Sequence, residues 1–349
     1  MTSVNSALVR FTYPRRQLGR GIAMTAVAVS VSSAAGPTVA SAILAAASWP
    51  WLFAIDVPIG LVTFGLSLRL LPYTPPSPHR FDSASALLSA VASTLLIAGI
   101  NGVGHGQAVP FVMLELVGAA GSGFVLVRRQ AALSLPLLPV DLFRRPVFAL
   151  SVITSVCTFI ALGLAFVTLP FYFQDVLGRS QVATGLLMTP WPATVALVAP
   201  IAGRLADRYP AGILCGIGLV VLCSGFLLLA ALPAEPHAAD IAWRMMVCGF
   251  GFGLFGSPNN RAIITSAPRE RSGGAGAIQS AARLLGQAVG AAVVALIFGF
   301  AGSVGKLGPT IAVMLAAGFC GARCWNEFAA PPQLCSVCGD ATRRSSPRQ

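Results

Sequence analysis

Ten stretches of this chain are long and apolar enough to cross a bilayer as helices, approximately residues 22–46, 52–71, 84–101, 110–127, 147–170, 183–202, 211–231, 243–265, 275–299 and 308–323. A helix rises 1.5 Å per residue, so about 20 residues cover the ~30 Å of hydrocarbon. Lipid leaves backbone groups no outside partner, which restricts spanning segments to helices and closed barrels. Barrel strands would be shorter and would alternate apolar with polar residues. The expected fold class is therefore all-α, a polytopic transmembrane helical bundle with about ten spans. The 56% hydrophobic and 10% charged residues, with a mean hydropathy of +0.79, exclude an ordinary soluble domain.

Lys and Arg outnumber Asp and Glu, 23 against 11, for a net charge of +12. In a soluble protein that balance points to nucleic acid, but here the position of the charges decides. If the first span runs outward, the inner segments carry Arg10, Arg15, Arg16 and Arg20, then Arg69 and Arg80, Arg128, Arg129, Arg144 and Arg145, Arg204 and Arg208, and Arg261, Arg269 and Arg271. The outer segments carry Arg179, Arg244 and Lys306. This is the positive-inside pattern, so the charge reports topology and no nucleic-acid partner is expected.

Four cysteines, Cys157, Cys215, Cys223 and Cys248, fall in expected spans, where a thiol is a small apolar filler. Cys320, Cys324, Cys335 and Cys338 follow a C-x3-C-x10-C-x2-C pattern that can be written as a zinc site. Its first pair, however, ends an apolar helix, and no metal is expected. Arg15 and Arg16, followed by an apolar run ending in Ala40–Ala42, imitate a twin-arginine export signal. The run is too long for that, is broken by Gly36-Pro37, and is followed by nine more spans. No zinc-protease motif or G-x-S-x-G appears, the three histidines His79, His105 and His237 lie in loops, and no enzyme or cofactor is expected.

Small residues recur at four-residue spacing: Ser32, Gly36 and Ala40; Gly249 and Gly253; Ala282, Gly286 and Gly290. Lipid supplies no hydrophobic drive between helices, so spans pack by close backbone approach through such residues. With 36 glycines and 25 prolines, the interfaces suit a bundle that moves.

Polar groups inside spans carry the sharper expectations, because a mid-bilayer charge costs ~2.5–3.5 kcal/mol even on insertion scales. Asp56 and Glu115 each lie near the outer end of a span, compatible with an interfacial carboxylate or with a protonatable group facing a cavity. Arg283 lies about 12 Å into its span, within reach of inner headgroups or of an anion inside the bundle. Asn259 and Asn260 follow Pro258, whose missing N–H frees a carbonyl, and cavity lining is preferred to capping for the pair. Phe159, Phe166, Phe252 and Phe255 would supply the apolar part of a substrate cavity.

Four ordered motifs carry a family resemblance. They are GPTVAS in the first span, SWPWLFAIDVPIGL after it, GRLADR between the sixth and seventh spans, and PRERSGGAGAIQSAARLLGQAVGAA before the end. Together, over roughly residues 3–300, they resemble the major facilitator superfamily, and more closely its fourteen-span drug/proton antiporter branch of the EmrB/QacA type. The resemblance implies that Gly36 and Pro37 belong to the antiporter motif, with Ala40 and Ser41 where a second glycine pair is usual. It implies that Gly203, Arg204, Asp207 and Arg208 form a cytoplasmic latch, although YPAG follows where the family has a glycine and more basic residues. It also implies that the chain enters the family pattern at the fifth helix, lacking the first four and the proton-coupling residues they hold.

The expected organisation follows. Residues 1–71 end an N-terminal helical half with two spans, 72–145 add two linking spans and a basic loop, 146–325 form a C-terminal six-helix half, and 326–349 are a polar tail expected to be disordered. The expected function is proton-coupled efflux of amphipathic or cationic drug-like compounds across a bacterial inner membrane, by alternating access around a midplane cavity. Its partners would be a small-molecule substrate, protons and the bilayer, and nothing in the sequence identifies an outer-membrane or periplasmic adaptor. The competing expectation is an inactive remnant of such a transporter. A channel would want a polar ring or an acidic mouth, and neither is visible.

Overall fold

The computed structural model describes residues 28–29, 31–32, 35–36, 39–40, 42–70, 82–104, 107–131, 140–206, 208–233, 235–267, 272–301, 315–318 and 320. Among these residues all regular structure is helical. The main helices are α1 (Pro50–Ala54), α2 (Asp56–Leu70), α3 (Ser83–Gly104), α4 (Val109–Ala131), α5 (Pro146–Phe171), α6 (Gln181–Met188), α7 (Pro190–Leu205), α8 (Ala211–Ala230), α9 (Ala238–Ser266) and α10 (Ser272–Ala301). Eight segments among the described residues are long and apolar enough to cross a membrane, from Pro50–Arg69 to Gly273–Phe298. The expected span at 308–323 falls largely outside the described residues, and that at 22–46 about half outside them.

Several boundaries have a local cause. Ser180 caps α6 by accepting the Ala183 N–H on its hydroxyl, satisfying one orphan donor. The single span expected at 183–202 is found as Gln181–Leu205, built by α6 and α7 meeting at Thr189, with Pro190 at a first-turn position of α7 where a missing N–H costs nothing. At the end of α5, Pro170 is followed by a π-helical turn over Tyr172–Val176, the distortion a proline and a shifted hydrogen-bond register produce together.

Packing follows the small residues. Gly218 and Gly225 of α8 meet Phe255 and Cys248 of α9, so closely that an added Cβ would sit 2.7 Å from the Phe255 backbone N and 2.6 Å from the Cys248 sulfur. Gly163 of α5 faces Gln287 and Gly290 of α10, while Gly286 of α10 packs on Phe159 of α5. Gly249 and Gly253 of α9 lie against Trp191 and Val198 of α7. Of the expected small-residue faces, these two are interhelical seams. Gly36 has no atom within 4 Å of where its Cβ would be, and Pro37 lies outside the described residues.

Around these seams Trp191, Phe226, Leu219, Leu222, Ile241, Met245, Cys248 and Phe255 form one buried core, joined by Ala316, Ala317 and Cys320. A second core, with Leu142, Phe148, Val152, Ile263, Ala275 and Ile278, closes the end where α5 and α10 begin and α9 ends. α3 and α4 form a hairpin whose first helix rests on α10, and the large apolar side chains of α2 are exposed, as a lipid-facing helix requires.

The ends of the bundle are tied by arginines. At one end Arg129 Nη2 donates to Asp82 Oδ1 at 3.1 Å, joining the end of α4 to the start of α3, and Arg145 Nη1 donates to the Ser266 carbonyl at 2.7 Å, joining α5 to α9. At the other, Arg179 donates to the Pro236 carbonyl, and Arg244 pairs with Asp240 at 3.2 Å while donating to the Leu228 carbonyl at the end of α8. Each of these carbonyl bonds satisfies a helix-end or loop acceptor that the bundle would otherwise leave open.

Candidate functional site

Five side chains from α5, α9 and α10 form two contacting groups, Phe252–Phe159–Arg283 and Gln279–Asn260, which together make a strip. Phe159 of α5 meets Phe252 of α9 edge-on, with ring centroids 6.1 Å apart. The Arg283 guanidinium of α10 lies over the Phe159 ring, 5.9 Å from its centroid. Nearer the Arg145 end, Gln279 of α10 donates its Nε2–H to Asn260 Oδ1 of α9. Gln279 and Arg283 share a helix face through their four-residue spacing.

Each residue is held by the seams beneath it. Gly286 lets α10 settle against Phe159 Cβ, the Val156 carbonyl and the Ile160 backbone N of α5, and Arg283 lies over the Phe159 ring. Pro258, buried in α9, precedes Asn259 and Asn260, which diverge. Asn259 points inward and donates Nδ2–H to Ser155 Oγ of α5 at 2.6 Å, with both side chains buried. Asn260 is exposed beside Gln279. The sequence expectation of cavity lining therefore divides: Asn260 lies on the open strip and Asn259 in the helix interface.

Depth gives the strip its meaning. Counted along the helices, Asn260 lies ~9 Å from the end of α9, Gln279 ~10 Å and Arg283 ~16 Å from the start of α10, and Phe159 ~20 Å from the start of α5. Arg283 is exposed, and no carboxylate or hydrogen-bond acceptor pairs with it among the described residues. Arg and Gln side chains placed within a span are costly against hydrocarbon unless they reach the headgroups or another polar surface.

The other expected site residues lie elsewhere. Phe255 is buried in the α8–α9 core, where its carbonyl accepts the Cys215 thiol, and its ring lies 6.4 Å from Phe252. Phe166 stacks on Trp191 at 5.0 Å between α5 and α7. Asp56 begins α2 and is exposed. Glu115 sits in the second turn of α4, facing Gly99 of α3, with its Oε2 out of solvent contact and without a hydrogen-bond partner among the described residues. Gly203, Arg204 and Arg208 lie at the end of α7, and Asp207 is outside the described residues. Sequence reasoning missed Gln279 and Ser155; the signal for Gln279 was its i, i+4 spacing to Arg283.

The helical order, the two arginine-tied ends and the polar strip at depth describe a membrane transport bundle. The sequence pattern of the Major Facilitator Superfamily matches residues 1–291. The chain belongs to that superfamily. Among relatives, the Uncharacterized transporter YebQ of Escherichia coli (strain K12) is 51% identical over 91% of this chain and 69% of YebQ. The Riboflavin transporter RibZ of Clostridioides difficile (strain 630) is 26% identical over 83% of this chain and 63% of RibZ. The Multidrug resistance protein Stp of Mycobacterium tuberculosis (strain CDC 1551 / Oshkosh) is 30% identical over 82% of this chain and 54% of Stp. The chain thus spans between about half and about two thirds of these relatives' lengths. This major facilitator protein is a multi-pass membrane protein of a transporter family.

Proposed function

We propose that the chain acts in proton-coupled export of amphipathic drug-like compounds across a bacterial inner membrane, by alternating access. The observation that carries this reading is the set of Phe159, Phe252, Asn260, Gln279 and Arg283, which puts aromatic surface beside polar groups that are costly against hydrocarbon. Solute sites of this kind are mostly apolar with a few convergent polar groups. The glycine seams on either side support sliding of α5, α9 and α10 as packed units. The resemblance to the fourteen-span antiporter branch and the name of Stp favour drug-like substrates, while the name of RibZ keeps a single aromatic vitamin in view. Gly36 and Pro37 would belong to the hinge between halves, and Gly203, Arg204, Asp207 and Arg208 to a cytoplasmic latch that breaks as the bundle rocks.

In this reading a carboxylate exchanges a proton for substrate. Glu115 is the stronger candidate, because its Oε2 is out of solvent contact and meets no hydrogen-bond donor among the described residues. Asp56 is the weaker one because it is exposed. The test is dye and drug accumulation in an efflux-deficient bacterium expressing the chain, with and without a protonophore. Gradient-dependent lowering of accumulation that is lost in Glu115→Gln supports the reading. Unchanged transport in that variant removes Glu115 from coupling, and no lowering by the chain at all favours a membrane protein without transport activity.

A further inference from the structure

The charge on the strip is one-sided. Of the helices that build it, α5 has no ionised residue and α10 has Arg283 alone, while α9 has Arg244, Arg261 and one carboxylate, Asp240. Asp240 lies in the first turn of α9, at the far end from Asn260, where Arg244 and the Trp243 Nε1–H already occupy its Oδ1. Among the described residues, the partner of Arg283 is the Phe159 ring. Its five N–H donors form a planar fork that matches a carboxylate bidentately, and nothing described occupies that fork. Next to it, Phe159 and Phe252 offer two rings in edge contact, and Gln279 and Asn260 spend one donor and one acceptor on each other.

Resting on the reading that this strip holds solute, we propose that it selects aromatic solutes bearing a carboxylate over cationic ones. The aromatic body would lie against Phe159 and Phe252 and the carboxylate would take the free guanidinium fork of Arg283. A cation in the same pose would meet the positive charge of Arg283 at close range, where like charges repel. The substrate class expected from family resemblance, which includes cations, is thereby narrowed for this face.

The test uses the full chain in lipid nanodiscs at neutral pH and three probes that differ only in their polar end: naphthylacetate, naphthylacetamide and naphthylethylamine. Binding of the acid is expected to be about tenfold tighter than that of the amine, with the amide between, a difference of the size one charge-assisted contact gives. Arg283→Gln should abolish the acid's advantage over the amine, and an unchanged thermal unfolding midpoint in the same nanodiscs shows that the variant is folded. Arg283→Lys should keep part of the advantage, and Phe159→Ala should weaken all three probes. Equal or tighter binding of the amine, unaffected by Arg283→Gln, overturns the inference while leaving an aromatic solute site in place if Phe159→Ala still weakens binding. Failure of all three probes to bind overturns both the inference and the solute site it rests on.

Discussion

Asn259 of α9 donates its side-chain N–H to the hydroxyl of Ser155 of α5 at 2.6 Å, and 3% and 1% of the two residues remain exposed. One residue further on, Asn260 is exposed and bonded to Gln279 of α10. Two adjacent carboxamides thus serve different ends: the first fastens α9 to α5, and the second faces the open strip.

Replacing the buried one is expected to destabilise the bundle. Interhelical hydrogen bonds in membrane proteins contribute about 0.6 kcal/mol on average and up to about 1.7 kcal/mol. Asn259→Ala should cost about 1 kcal/mol or slightly more, and combining it with Ser155→Ala should cost less than the sum of the single changes. Asn260→Ala should leave stability within about 0.5 kcal/mol. Thermal unfolding in a fixed detergent checks all three; additive costs would show that the bond contributes nothing.

The glycine seams predict a contrast on one helix. A Cβ on Gly251 would lie 2.8 Å from the Gly218 carbonyl oxygen, against backbone that cannot swing away, whereas Gly256 has nothing within 4 Å. Gly251→Ala should cost about 1–3 kcal/mol by forcing α8 and α9 apart. Gly256→Ala should be neutral or stabilising by up to about 1 kcal/mol through helix propensity. Unfolding midpoints of the two variants measured side by side decide the matter.

The Asp82–Arg129 contact gives a pH dependence with a definite sign. The Ser85 hydroxyl, then Arg129, hold the Asp82 carboxyl down to about 2. The unfolded group titrates near 3.9, so the contribution to the α3–α4 hairpin is fully present above about pH 4 and is lost as pH falls towards about 2. Hydrogen exchange at the first amides of α3, including the Ser85 N–H that Asp82 accepts, should quicken over that window. Asp82→Asn should flatten the response, and a response that persists in the variant would assign it to another group.

The aromatic pair predicts a substrate-side effect. Phe159→Ala and Phe252→Ala should each lower transport or binding of an aromatic probe about tenfold, the scale expected when one ring of a pair is removed from a solute face. Phe255→Ala, deep in the α8–α9 core at 1% exposure, should instead reduce stability by about 3–5 kcal/mol. Midpoint shifts and binding constants measured on the same preparations separate the two behaviours.

The fold was legible where hydropathy alone decides. The span expected at 147–170 is Pro146–Phe171, and that expected at 275–299 lies within Ser272–Ala301. Hydropathy misplaced the start of α9, expected at 243 and found at Ala238, because Asp240 and Arg244 neutralise each other across one turn and Asp240 also meets the positive helix end. It placed the span at 183–202, found as Gln181–Leu205, but not the helix junction at Thr189 within it, which proline position rather than polarity sets. For the proposed site, residue type singled out Phe159, Phe252, Asn260 and Arg283 but could not show which asparagine faces inward. That depends on the rotation of α9 against α5, fixed by side-chain packing between residues 104 apart in sequence.

The central claim is that the α5–α9–α10 strip is a wet, solute-holding face rather than a lipid-facing one. Single cysteines at Asn260 and at Leu197, whose side chain is 73% exposed on α7, would be placed in a chain with its native cysteines replaced. Each would then be challenged in intact membranes with a membrane-impermeant thiol reagent. The account predicts rapid labelling at position 260, slowed by an aromatic substrate, and little labelling at position 197. Labelling at 260 no faster than at 197, with or without substrate, would contradict it.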